Sequence, residues 1–136
     1  MAERYININF PFKDSDKGLF LGLTKTNDKA IKSDLMHLIL TNKGERLYLP
    51  DFGTNLYQYI FEPLDDITLG KIEAEIQDAV EKYIPNLKLN DVVITRVGDE
   101  ERYKNDTERE HQIRINLDYT ITTKTFQTSD KLSITI

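Results

Sequence analysis

The chain contains no cysteine and no tryptophan, and only two histidines, His37 and His111. Without thiols, disulfide frameworks, thiolate nucleophiles and zinc–sulfur sites are excluded. Two histidines alone make a histidine-based metal site a poor expectation, and no metal or cofactor is expected. Long apolar runs are also missing. The longest in a helix-like segment is Leu38-Ile39-Leu40, far short of a membrane span. An excess of positive charge is absent as well: 18 Lys and Arg face 23 Asp and Glu, a net charge of −5. That balance argues against nucleic acid or an anionic membrane as partner, because phosphate binding draws on Lys and Arg releasing counterions. Residues Met1 to Asn7 have no basic stretch followed by an apolar one, so no secretory signal is expected. The Asn105-Asp106-Thr107 sequon then reads as a chance match.

What is present is enough for one core. The 136 residues are 39% hydrophobic and 30% charged, the profile of a single folded domain. Residues 1–26 read as an N-terminal arm. Tyr5 to Phe10 alternates apolar and polar and is a candidate short strand, interrupted by Pro11. Phe10, Phe12, Phe20 and Leu21 are its expected anchors on the core. Residues 27–136 read as the domain proper. Ala30, Ile31, Leu35, Leu38 and Ile39 recur at helical spacing between Asp28 and Leu40, with Thr26 or Asn27 as cap. His37 falls off that stripe and is expected in solvent. Gly44 is the expected helix stop. Pro50 and Gly53 mark a structured loop, and Leu56, Tyr59 and Ile60 suggest a short helical turn.

A second helix is predicted from Ile67 to Tyr83, capped by Asp66 and ended by Pro85. Leu69, Ile72, Ile76, Ala79, Val80 and Tyr83 form its apolar face; Lys71, Glu73, Glu75, Asp78, Glu81 and Lys82 form its solvated face. The period then changes to two. Leu87, Leu89, Val92 and Ile94, with Val97 a further candidate, form a first strand. Ile113 to Ile121 form a second, and Leu132 to Ile136 a third. Gly98 to Glu110, rich in charge, is the expected hairpin tip. The fold class is therefore α+β, two main helices packed on a three-stranded antiparallel sheet.

Chemistry is sparse. No nucleophile elbow, phosphate-cradling glycine loop or paired-histidine metal motif occurs. Glu45, Asp51 and Glu62 are the carboxylates not explained as helix-surface charge, and a glycosidase built on two of them is a remote reading. A three-stranded sheet does leave two edges, and an uncovered edge invites another chain.

The block Ile31 to Leu40, Thr41-Asn42-Lys43-Gly44-Glu45-Arg46, Pro50-Asp51-Phe52-Gly53, Leu56 and Phe61-Glu62-Pro63 resembles the small baseplate wedge proteins of contractile-tailed phages. That family includes the small baseplate protein of type VI secretion systems, and some members carry a lysozyme label. The resemblance covers about residues 28 to 121. It implies a structural, non-enzymatic component of the virion tail baseplate, assembled in the host cytoplasm, with a fold similar to the sheath interlocking domain. It implies binding to the helical bundle of the larger wedge subunits through Glu45, Arg46, Ile84, Pro85 and Asn86. It also implies initiation of the tail sheath by strand addition, assigned to Leu132, Ile134 and Ile136. No nucleic acid, membrane or small-molecule substrate is implied. Many members carry Glu-Pro-Arg where Ile84-Pro85-Asn86 stands, so Arg46 is the candidate for a charged contact. An adaptor role in a type VI or extracellular injection machine shares the fold and differs in setting.

Overall fold

A computed structural model describes residues 5–15, 21–24, 26–97, 112–122 and 127–136. Phe20, His111 and the expected hairpin tip from Gly98 to Glu110 lie outside the described residues. The elements are β1 (Asn7–Ile8), β2 (Leu23–Thr24), α1 (Asn27–Leu40), α2 (Leu56–Tyr59), α3 (Asp66–Tyr83), β3 (Leu87–Arg96), β4 (Ile113–Thr122) and β5 (Gln127–Thr135). β3, β4 and β5 form an antiparallel meander in that order, and β1 pairs with β2 as a separate small ribbon.

The strict alternation of β4 places Ile113, Ile115, Leu117, Tyr119 and Ile121 on one face, all buried. The two long helices supply the other half of the core. Leu35, Leu38 and Ile39 come from α1, and Ile72, Ile76, Ala79 and Val80 from α3. Leu132 and Ile134 of β5 complete it. Each fully buried Leu or Ile contributes about 1.5–3 kcal/mol through removal from water. The predicted α+β class and the two-layer arrangement follow from this pairing of a one-sided sheet with two striped helices.

Three local expectations are corrected. Asp65, not Asp66, caps α3. Its carboxylate accepts from the Thr68 N–H at 2.7 Å, while Asp66 is the first helical residue; this bond holds the Asp65 carboxyl below its ordinary range. Gly44 does not stop α1. The helix ends at Thr41, whose main-chain N–H and hydroxyl both donate to the His37 carbonyl, and Gly44 serves a later turn at φ 92°. Glu75, expected on a solvated face, has only 10% of its side chain exposed. It accepts from the Asn55 N–H at 2.9 Å and pairs with Lys43 at 3.0 Å, tying α3 to the preceding loop.

The slip in β3 periodicity has a structural cause. The pairing register with β4 shifts between Leu89 and Asp91. Asn90 is the extra residue of a bulge, with its side chain donating to Thr120 Oγ1. This moves the inward positions from Leu87 and Leu89 to Val92 and Ile94.

The arm lies along α1. The Phe10 N–H donates to Ser33 Oγ, and Asn7 Nδ2 donates to Asp34 Oδ1. Phe12 is not a core anchor: it is 61% exposed and touches the edge of the Phe10 ring.

Candidate docking site

The segment after α1 folds back on itself through main-chain bonds. Thr54 N–H donates to the Thr41 carbonyl at 2.8 Å, Lys43 N–H to Thr54 at 3.2 Å and Gly44 N–H to Pro50 at 2.7 Å. Thr54 Oγ1 donates to the Ile39 carbonyl inside the protein. Gly53 sits at φ 113°, where a Cβ would run into the Thr41 carbonyl. Only glycine fits there without strain. The Glu45 carboxylate accepts from the main-chain N–H and the side-chain amide of Asn42. Glu45 therefore holds this loop closed, with its own surface in solvent.

The closed loop directs Arg46 inward and leaves Leu47 and Tyr48 almost wholly exposed at its tip. The Arg46 guanidinium carbon lies 4.0 Å from the centre of the Phe52 ring, and Nη2 is 3.3–3.4 Å from the His37 ring nitrogens. Phe10 stacks on His37 with ring centres 4.9 Å apart. Phe52 meets His37 edge-on, and Tyr83 meets Phe52 edge-on at 5.1 Å. The row Phe10–His37–Phe52–Tyr83 thus runs from the arm across α1 and the loop to the end of α3, with the Arg46 cation on its flank.

His37 is not a solvated surface residue, as its position off the apolar stripe suggested. The stripe records contacts with the sheet and misses a second face, which the arm and the loop cover. Burial lowers the His37 pKa below 6.5, the neighbouring Arg46 lowers it further, and Asp34 opposes both.

Three members of the row, His37, Phe52 and Tyr83, form one wall of a concave site of about 370 Å³, and Asp34 of α1 lines it too. Ile84, Pro85 and Asn86 line it together with Arg46, although the two segments are far apart in sequence. Of the five residues assigned to wedge binding, the structure brings these four into one site; Glu45 shapes the loop instead. Sequence reasoning missed His37, Phe52 and Tyr83 as lining residues. The visible signal was Phe52 between Pro50 and Gly53, in a loop too punctuated to be a mere connection.

The sheet edge differs by one residue from the sequence assignment. Ile113 and Ile136 exchange both main-chain bonds, at 2.9 and 3.0 Å. The β4–β5 register is unbroken from Arg114↔Thr135 to Thr122↔Gln127. In an antiparallel ladder such pairs alternate, so Ile134 and Leu132 also spend their main chain on β4. Their side chains are in the core. The outward N–H and C=O groups belong to Ser129, Lys131, Ser133 and Thr135. Deleting 131–136 would remove core residues along with the edge and cannot leave the domain intact.

Among the described residues no cluster fits a metal ion, and no helix is long and apolar enough to cross a membrane. The fold is a small α+β module, two long helices on a three-stranded antiparallel sheet, with a concave site beside α1 and an outer strand edge on β5. The family model "Baseplate wedge protein gp25" matches residues 25–125, and the chain belongs to that family. The baseplate wedge protein gp25 of Enterobacteria phage T4 is 31% identical over 86 residues. That match spans 60% of this chain and 65% of the relative, less than two thirds of its length. The fold is shared with a Geobacter sulfurreducens protein described as a tail lysozyme, at TM-score 0.64 and 20% identity, covering 83% of this chain and 94% of that one. It is shared too with a chain of the anti-feeding prophage baseplate, at TM-score 0.59 and 21% identity over 93% of this chain and 81% of that one.

Proposed function

We propose that this protein is a structural component of a contractile-tail baseplate wedge. In this reading the larger wedge subunits dock in the concave site at Arg46, and the first ring of the tail sheath adds a strand to the β5 edge. The observation that carries the reading is the convergence of Arg46 with Ile84, Pro85 and Asn86 in one solvent-accessible hollow. Ile84 and Pro85 give the hollow apolar surface, and Arg46 supplies the charge that the family's Glu-Pro-Arg motif carries elsewhere. A helical bundle presenting an apolar ridge and a carboxylate would complement it. The N-terminal arm, residues 1–26, contributes Phe10 to the aromatic row behind the site.

An enzymatic role has less support. A glycosidase needs one carboxyl kept protonated by burial beside another that stays ionised. Glu45, Asp51 and Glu62 are all exposed, and Glu45 is engaged by Asn42. An injection-machine adaptor uses the same surfaces, and neighbouring genes would decide between it and a phage virion.

The test is assembly with Arg46→Glu. The variant is expected to remain folded and to be lost from purified baseplates, because the reversed charge opposes the docked carboxylate. Normal incorporation of Arg46→Glu would overturn the wedge-binding assignment.

A further inference from the structure

The outer edge of β5 is not uniformly open. At Lys131 both outward main-chain groups are already bonded. Its N–H donates to Oδ1 of Asp130 at 2.8 Å, and its carbonyl accepts from Lys32 Nζ of α1 at 3.0 Å. One acceptor and one donor at a single edge residue are what a facing residue of an added antiparallel strand would supply. The two side chains are themselves fixed. Lys32 lies 3.5 Å from Asp130 Oδ2, and the same oxygen accepts from the hydroxyl of the buried Tyr119 at 3.3 Å. Among the described residues, no side chain bonds the main chain of Ser133 or Thr135.

We propose that Lys32 and Asp130 act as a register stop, closing the β5 edge at Lys131 so that an incoming strand pairs only with Ser133 and Thr135. This inference rests on the strand-addition reading and adds to it a length and a register. Because side chains alternate between faces, a slip of one residue would turn every side chain of the donated strand to the wrong side. Blocking position 131 removes every register that runs past Leu132. The same device shields the middle of the strand from pairing with other copies of the chain before assembly, when bare edges are a hazard. The opposite edge has a different defence, the Asn90 bulge in β3.

Amide hydrogen exchange, read residue by residue in the full chain, tests this in two stages. In the free protein the Lys131 amide should exchange roughly ten-fold more slowly than those of Ser133 and Thr135, and Asp130→Ala should abolish the difference. With purified sheath protein of the same machine, Ser133 and Thr135 should become protected while Lys131 is unchanged. In Lys32→Met, where the carbonyl cap and the contact with Asp130 are lost while Tyr119 keeps its partner, protection should spread past Lys131 to Ser129. Exchange at Lys131 as fast as at Ser133 in the free protein would overturn the stop, as would new protection of Lys131 in the wild-type complex. A free-state pattern as expected, with no protection anywhere on adding sheath protein, would overturn strand addition itself.

Discussion

The hollow around Arg46 and the outer edge of β5 sit on one small domain but are built from different materials. The hollow is made of side chains. Its lining comes from α1, the closed loop and the end of α3, and its charged members are the Arg46 guanidinium and the Asp34 carboxylate. The edge is made of main chain. The side chains on its strand either fill the core, as Leu132 and Ile134 do, or face solvent, as Ser133 and Thr135 do. Side-chain sites can be switched off without unfolding the protein. Main-chain sites cannot be reached through the core residues beside them; they respond to proline or to a neighbouring cap.

The largest expected effect separates the strand's two sides. Ile134→Ala should cost about 2–5 kcal/mol in urea unfolding, the cost of emptying a packed site. Thr135→Pro should cost much less, because this outward N–H has no partner among the described residues, yet it should block sheath pairing. Similar stability losses for the two would show that the inward and outward assignments are wrong. Next comes the loop that shapes the hollow. Gly53→Ala should cost about 1–3 kcal/mol through backbone strain, more if Thr41 cannot yield. A neutral result would show that the loop is not held as described.

Arg46→Ala removes a partly exposed cation from the Phe52 face and should lower stability by about 0.5–1 kcal/mol while preventing wedge docking. A variant both stable and fully competent would dissolve the contrast between the two surfaces. The hollow should also have a pH signature that the edge lacks. The His37 pKa is held below its unfolded value of 6.5, so the unfolded chain takes up its proton first as pH falls. The stability linked to His37 is therefore fully present above 6.5 and is lost as pH drops from 6.5 through the folded value. Arg46→Gln should raise the His37 pKa in an NMR titration, leaving burial as the remaining cause of its depression. The smallest effect belongs to Lys82→Ala. Lys82 and Asp51 are 3.8 Å apart and largely exposed, so the change should stay within about 0.5 kcal/mol.

Much of the fold could be read from spacing. The β4 alternation and the α3 stripe are long enough for periodicity to identify the element and its buried face. The two failures near α3 have distinct origins. Asp65 and Asp66 are chemically equivalent caps, and only the main-chain angle at residue 65 chooses between them. Glu75 looks like ordinary surface charge because its partners, Asn55 and Lys43, lie in a loop whose path periodicity does not encode.

The candidate sites divide in the same way. Arg46 and Pro85 were legible because motifs carry them. His37 was not, since a residue off the sheet-facing stripe can still be covered by a loop and an arm. The edge assignment to Leu132, Ile134 and Ile136 is one residue out of phase with the outward main-chain groups of β5. Apolar alternation reports where side chains point, whereas the free hydrogen-bonding groups depend on the phase of the β4–β5 ladder. Lys32 gave no signal at all: its partners, Asp130 and Lys131, are brought to it only by the closing of the sheet against α1.

The most direct measurement is a reconstruction of the assembled baseplate in which individual strands are traced. A strand from a sheath subunit should run antiparallel to β5 with its main chain bonded to Ser133 and Thr135, and it should end or turn away before Lys131. A β5 edge left bare, or covered only by segments of the protein itself, would contradict the account.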